Sequence, residues 1–377
     1  MRSKEHGKSV TVVGAGGNIG SHLVPHLARM PGVTRVTLID RDVYESKNLA
    51  SQAITPRDVG RSKATVQVRM LRRIRPSLDI LAINDAVENL PLGRLRADVL
   101  LACLDSRRSR QYVNQAAWRL GVPWIDTGVE AGGLLARVNV YVPGEDNPCL
   151  ECAWDQRDYE ALEQTYPCSE AEAGTADNFA TNAPSSLGAL AASLQAIECQ
   201  KILSGQLGNA AIGKQLVIDV LHHKQYLTSF RRNPDCRLFD HEPWEIKRLN
   251  LAVDKVTLDD LIGLMKLRMV DAGRSRLSVE GKRFVGKTTC RGCGLQRPMG
   301  AFLWLANGAS RSCSQCGGTF FPAGSETAEW IDLTSPPSKR KRRSLRSLGL
   351  RCGDVFSVES DRGQVHFEIG GRGATLY

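Results

Sequence analysis

The chain has 377 residues, 42% of them hydrophobic, enough for a sizeable core spread over two or three domains. No apolar run reaches membrane length and no secretory leader pattern opens the sequence, so eleven cysteines point to reduced thiols in a cytoplasmic enzyme, not to a disulfide framework. A net charge of +10 would suit a polyanion partner, yet much of the excess sits in one C-terminal tract, and nucleic acid is not the expected partner.

In chain order, Val10–Val13 reads as a buried parallel strand, and Ile19, Leu23 and Leu27 mark one face of a following helix. Between them lie Gly14, Gly16, Gly17, Asn18 and Gly20, a turn that lets backbone approach phosphate closely, with the N–H groups of the helix start facing the anion. A second apolar strand, Arg35–Ile39, ends at Asp40, about 20 residues beyond the glycines, where a carboxylate accepts from ribose hydroxyls. This much suits NAD as well as ATP. Residues beyond Asp40 separate the two: Asp42, Asn48, Gln52, Lys63, Asp105 and Arg110 supply a lysine and further acids, which adenylating enzymes need near phosphates and dehydrogenases do not.

With Asp40, these residues and their spacing resemble the ThiF/MoeB/ubiquitin-activating superfamily, a match that a chance glycine turn would not bring along. The resemblance implies a Rossmann-like, doubly wound α/β sheet that carries a catalytic-cysteine segment. It continues through the strand Ala136–Val142, the pair Cys149 and Cys152, the stretch Thr165–Ser169, and Thr181–Ser186 before a helix. That helix is expected on Leu187, Leu190, Leu194 and Ile197, with Ser185 or Ser186 as cap and Gly205 as its close. Cys168 therefore falls in a surface loop ahead of a helix. A loop thiol near its ordinary pKa of about 8.5 is inert unless a helix N-terminus or cation lowers it, so an inert thiol is the alternative to the thioester cysteine that the resemblance implies. Cys103 and Cys199 read as core residues.

Gln215–Leu221 is expected as a late strand. Beyond it the family places a second CxxC, but only Cys236 remains, followed by His241; Cys149, Cys152, Cys236 and His241 form an acceptable zinc set. A metal-free remnant, or His241 capping a turn, are the other readings. The pattern changes near residue 250, which divides an adenylation domain at 1–250, containing the 149–185 cysteine and crossover segment, from an accessory domain at 251–377. There Thr257–Lys266 reads as a capped helix and Arg276–Val285 as a turn between short strands. Cys290 with Cys293 and Cys313 with Cys316, two pairs with 19 residues between them and followed by Gly294 and Gly317, form a zinc ribbon at about 288–320. The basic tract Ser338–Arg343, with Arg346 and Arg351 behind it, reads as a solvated linker, with a nuclear signal or polyanion contact as the alternative. Asp354–Val358 and Val365–Ile369 are strand-like.

The family resemblance also implies a mechanism. Asp40 would hold the ribose; Gly14, Gly16, Gly17 and Asn18 would line the phosphates; Asp42, Asn48, Gln52 and Lys63 would complete the ATP site; and Asp105 would coordinate Mg2+. A carboxylate, typically the C-terminal glycine of a ubiquitin-like protein, would be adenylated, then passed to Cys168 as a thioester and on to a conjugating enzyme or sulfur acceptor. Cys168, Asp105 and Lys63 are the catalytic residues on this reading, and the protein is expected to be a homodimer. Two other readings stand beside it: a sulfur-carrier adenylyltransferase of thiamine or molybdopterin type, and a non-catalytic nucleotide-binding partner. Two departures bear on activity. Ser51 stands where the family has a phosphate-contacting arginine, and the N-terminal helix that donates another arginine across the dimer is nearly absent. Arg57, Arg61 or a partner subunit are the candidates to compensate.

Overall fold

The computed structural model describes residues 7–163, 183–238, 241–268, 276–303, 305, 312–322, 327–332, 343–360 and 363–370. Cys168 and the stretches quoted around it, 165–169 and 181–182, lie outside them, as does most of the basic tract. Two compact units form, Met1–Glu88 with Leu95–Trp244, and Asn89–Arg94 with Glu245–Tyr377.

The first unit is a mixed α/β Rossmann-like structure. Its strands are β1 (Lys8–Val13), β2 (Val33–Ile39), β3 (Asp79–Ile83), β4 (Val99–Ala102), β5 (Trp124–Glu130), β6 (Leu135–Tyr141), β7 (Lys214–Asp219) and β8 (Lys224–Ser229). They order as β3-β2-β1-β4-β5-β6-β7-β8, parallel through β5 and antiparallel thereafter. Continuous burial from Val10 through Val13 and along β4 is what a parallel strand covered on both faces requires. The helices are α1 (Asn18–Arg29), α2 (Lys63–Ile74), α3 (Arg107–Leu120), α4 (Gln156–Glu163) and α5 (Ser185–Leu203). At β5 the pleat separates the two faces: Ile125 enters the core with α5 residues, while Asp126, on the other face, meets Arg110 of α3.

Helix α5 forms where the sequence places it, but its apolar face differs. Leu187 is buried and Leu190 and Leu194 pack partly against the core, whereas Ile197 is 52% exposed. The buried face carries Gly188, Ala191, Ala192, Gln195, Ala196 and Cys199 instead. Small side chains let α5 lie close against the sheet and α1, so a leucine stripe is not needed for contact. Pro184 occupies the N-cap without a side-chain cap, and Ser185 Oγ instead meets His22 Nε2 at 2.9 Å. Cys199 is enclosed, and burial pushes its thiol up to about 12.

The second unit holds β9 (Ile246–Asn250), β10 (Arg276–Val279), β11 (Phe284–Cys290), β12 (Gln296–Phe302), β13 (Phe320–Phe321), β14 (Thr327–Ala328), β15 (Trp330–Asp332), β16 (Val355–Ser360) and β17 (Gly363–Gly370), with α6 (Leu258–Arg268) and α7 (Leu345–Leu348). One sheet runs β15-β10-β16-β17-β9; the ribbon sheet runs β12-β11-β13, with β14 also on β11. Thr257 starts α6 through reciprocal bonds with Asp260: Thr257 N donates to Asp260 Oδ2 at 2.8 Å, and Asp260 N donates back to Thr257 Oγ1 at 3.2 Å. Around the turn at Gly281 the chain leaves one sheet for the other, so β10 and β11 are not partners. The core of the larger sheet gathers Leu249, Leu258, Leu277, Phe356, Phe367 and Ile369.

Candidate functional site

Strand order reverses between β1 and β4, which opens a crevice beyond their C-terminal ends. Three connections reach it: the glycine turn after β1, Asp40 after β2, and Asp105 after β4. Gly14 adopts φ +79°, and a Cβ there would lie 2.4 Å from the Cys103 carbonyl oxygen, so only glycine passes between β1 and β4. At Gly16 a Cβ would lie 2.4 Å from Lys63 Cβ and 2.8 Å from the Tyr44 hydroxyl. Its absence makes the floor on which Lys63 rests.

Asp40 is 7% exposed and accepts Gly16 N–H at 2.8 Å and Asp42 N–H at 3.0 Å, one on each oxygen. Burial pushes its carboxyl above the ordinary range, while these two bonds and the Lys63 charge pull it back. Each oxygen keeps a further lone pair, which suits a hydroxyl donor. Lys63, the first residue of α2, is nearly buried; its N–H donates to the Asp42 carbonyl at 2.9 Å and its Nζ lies 3.4 Å from Asp42 Oδ2. Its Nζ lies over the Tyr44 ring, 5.8 Å from the ring centre, and the Tyr44 hydroxyl in turn accepts from Gln67 Nε2 at 2.7 Å. Tyr44 and Gln67 therefore buttress the lysine. Sequence reasoning passed over both, although an aromatic two residues after Asp42, inside a polar run, was a visible signal.

Other expected site residues make local contacts. Asn18 Nδ2 donates to the Ala183 carbonyl at 2.9 Å, tying α1 to the start of α5, and its Oδ1 is buried with no partner among the described residues. Asn48 Oδ1 accepts Glu45 N–H at 2.8 Å, capping the short helical turn Ser46–Ala50. Gln52 keeps a buried Oε1 with no partner among the described residues, and Ala53 N–H reaches Ser21 Oγ at 3.0 Å, so this segment lies across the first turn of α1. Arg57 and Arg61 are exposed. Asp105 is exposed beside the Ser106 cap of α3, and Arg110 turns inward, donating from Nε to Asp126 Oδ1 at 2.9 Å and to the Leu104 carbonyl. Asp126, fully buried, is shared with Arg137 at 3.0 Å. A glycine floor, a carboxylate with free lone pairs, a held ammonium and an open acid fit a nucleotide with Mg2+, which takes one or two carboxylates plus phosphate oxygens.

Among the described residues, two clusters could hold metal. Cys149 Sγ lies 3.7 Å from Cys236 Sγ and 3.8 Å from Cys152 Sγ, and Cys152 Sγ lies 3.1 Å from His241 Nε2. Two thiolates about 2.3 Å from one tetrahedral ion stand about 3.8 Å apart, whereas a disulfide is about 2.05 Å. Glu151, between the two cysteines, is 1% exposed and accepts from Gln111, Asn114, Gln115 and Tyr159, fastening the knuckle to α3. Burial and the neighbouring sulfurs push the Cys149 thiol up, so a divalent cation is what would let the set ionise together. In the ribbon, Cys290 and Cys316 stand 3.5 Å apart and Cys293 and Cys313 3.6 Å, with Gly294 and Gly317 at φ +72° and +70°. Both donor sets fit zinc.

Comparison with known proteins gives a consistent family. Adenylyltransferase and sulfurtransferase MOCS3 of Mus musculus is 32% identical over 240 residues, 62% of this chain and 48% of that protein. Sulfur carrier protein adenylyltransferase of Thermus thermophilus is 32% identical over 241 residues, 62% of this chain and 83% of its own length. Ubiquitin-like modifier-activating enzyme 5 of Oryza sativa subsp. japonica is 31% identical over 160 residues, 38% of this chain and 37% of that protein. The chain thus spans half or less of the rice and mouse relatives. Among solved structures it is similar to E. coli MccB with ATP, at 24% identity and a TM-score of 0.49, over 61% of this chain and 66% of that one. The ThiF family itself matches residues 3–238, a span that contains every strand of the eight-stranded sheet and accounts for well over half the sequence. The chain belongs to the ThiF family.

Proposed function

We propose that the protein is an ATP-dependent adenylyltransferase acting on the C-terminal carboxylate of a small protein or peptide. One observation carries this reading: Lys63 is held nearly buried on the Gly16 floor, with Asp42 fixing its ammonium, a cation prepared for phosphate where a dehydrogenase has no use for one. Asp40 would take the ribose hydroxyls on its remaining lone pairs. The substrate carboxylate oxygen would bond the α-phosphorus as the bond to the β-phosphate breaks and pyrophosphate leaves. Lys63 would meet the charge on that leaving group, and Asp105 would hold Mg2+, which neutralises it further when bound.

For the substrate, the sulfur-carrier reading has the broader support. The Thermus relative matches over 62% of this chain and 83% of its own length, while the rice ubiquitin-like activating enzyme matches over 38% of this chain and 37% of its own length. Activation of a ubiquitin-like protein, with a thioester on Cys168 and transfer to a conjugating enzyme, is the second reading, favoured by the matches to activating enzymes. A homodimer is proposed with either; Leu227 at 57% and Tyr226 at 47% exposure leave the edge strand β8 open for a second copy. No helix among the described residues is long and apolar enough to cross a membrane; a cytoplasmic site is proposed from the reduced thiols.

The test is pyrophosphate exchange with a candidate carrier ending in glycine. Exchange should require the carrier's free carboxylate and fall at least about 100-fold in Lys63→Ala, the scale of removing one electrostatic stabiliser. Exchange at background with every carrier, or undiminished in Lys63→Ala, would overturn the proposal. Cys168→Ser separates the two substrates: adenylation with sulfur transfer intact supports the sulfur carrier, and loss of a covalent protein adduct supports the thioester.

A further inference from the structure

From Lys282 to Pro322 the chain contains six basic residues, Lys282, Arg283, Lys287, Arg291, Arg297 and Arg311, and no aspartate or glutamate. This asymmetry is separate from the basic tract at 338–343. It coincides with the ribbon sheet and stays cationic even after the two negative charges of a zinc tetrathiolate are counted. Lys282 and Arg283 are partnered by Asp354 and Glu329 from outside the segment. Arg291 is different: it is exposed, and no carboxylate among the described residues lies within salt-bridge reach of it.

The cations are interleaved with rings. Arg291 lies over the Phe321 ring at 5.0 Å and Arg297 over the Phe320 ring at 4.1 Å. Arg291, Gly292, Gly318, Thr319, Phe320 and Phe321 line a cavity of about 470 Å³. Gly292 and Gly318 form its floor. A Cβ on Gly318 would stand 3.0 Å from Cys290 Sγ, and one on Gly292 would stand 2.9 Å from Cys316 Sγ, so the knuckles admit no side chain there and leave bare backbone facing the cavity. Phe320 is 7% exposed and packs with Cys290 and Cys313, whereas Phe321 is only half-buried. A planar guanidinium over a half-open ring, above a glycine floor and within an acid-free segment, combines the two elements of single-strand recognition: charge for phosphate and a π face for a base.

We infer that the ribbon binds single-stranded nucleic acid, a base stacking on Phe321 and Arg291 while Arg291, Arg297 and Lys287 meet phosphates. An acidic protein segment would use the same charges but has no need of the ring, and that difference decides between them. The inference is independent of the proposed adenylation.

The test uses the full-length, zinc-loaded protein and fluorescence anisotropy with a short labelled oligouridylate, set against duplex RNA and polyglutamate of matched charge. Single-stranded RNA is expected to bind best. Arg291→Gln should reduce the slope of log affinity against log salt by about 0.7, the loss of one phosphate contact on a single strand. Phe321→Leu should weaken binding by about tenfold with the slope unchanged, while Phe321→Tyr, which keeps the ring, should bind as the parent does. Zinc content is measured for each variant, so that a collapsed ribbon is recognised by metal loss. Polyglutamate or duplex RNA binding as tightly as the single strand, equal losses in the leucine and tyrosine variants, or no binding at low salt would overturn the inference.

Discussion

The glycine turn and the zinc ribbon both depend on close backbone approach, but different forces hold them. Around Gly16 the closeness is imposed by a large core: β1, β2 and β4 are buried throughout their inner residues, and Lys63 is fixed by α2, Asp42 and the Tyr44 ring. Among the described residues, the apolar cluster at the Gly292 and Gly318 end of the ribbon is Cys290, Cys313 and Phe320, while Phe284 and Phe302 at the far end of β11 and β12 join the core of the larger sheet. A cluster that small cannot offset the entropy of ordering the two knuckles, so a metal bond must do so. The nucleotide site should therefore be formed before any ligand arrives, and the ribbon only after its ion does.

Zinc removal should break this symmetry most visibly. Structural zinc in small finger peptides contributes roughly 10–16 kcal/mol, so chelation, or Cys313→Ser, should abolish hydrogen-exchange protection at the cysteine-bearing ends of β11 and β12 while β1 and β4 keep theirs. Equal loss in both regions would show that the two are not held separately. Next in size is Gly16→Ala. The added methyl meets Lys63 Cβ, a strain of about 1–3 kcal/mol, and should lower the melting temperature by several degrees and displace the lysine enough to remove pyrophosphate exchange. A variant with full exchange would show that Lys63 position does not govern the chemistry.

Tyr44→Phe is a finer probe. It leaves Gln67 Nε2 without its acceptor, and should cost about 1 kcal/mol in denaturant unfolding with a larger proportional effect on nucleotide affinity than on stability. Smallest is the acid limb at the edge of the core. Burial opposes ionisation of Asp98, but Ser9 N–H and Oγ–H and the Lys8 ammonium hold its carboxylate below the ordinary range. A lowered folded value means the contribution is complete above about pH 4 and fades as pH falls through that lowered value. Asp98→Asn should therefore be slightly less stable at pH 7 and indistinguishable near pH 2; a gap that widened in acid would reverse the assignment.

Much of the β1-α1-β2 region was legible because its signals are local: an unbroken apolar strand, glycines at a turn, and Ile19, Leu23 and Leu27 at helical spacing, all of them buried. The ribbon was legible for the same reason, since two CxxC pairs with glycines after them encode their own geometry. Helix α5 was harder. It is covered by the sheet and by α1, so apolar residues occur all round it and the leucine spacing no longer marks the inner face. The polar residues of the site were legible as chemistry more than as contacts. Asn48 turns to Glu45 and Asn18 to Ala183, local or distant partners that spacing does not reveal, and the Tyr44–Gln67 pair joins residues 23 apart without any periodic trace.

The contact between Asn18 and Gly188 constrains how this protein can vary. A methyl on Gly188 would overlap Asn18 Oδ1 at 1.8 Å, though the two positions lie on different helices far apart in sequence. The two positions are coupled: an alanine at 188 needs Asn18 to turn its amide away or to shrink to a residue such as glycine or serine, and either change gives up the bond to Ala183. Gly188→Ala alone should therefore cost more stability than the same change made together with Asn18→Ser, a coupling that a double-substitution cycle would read directly.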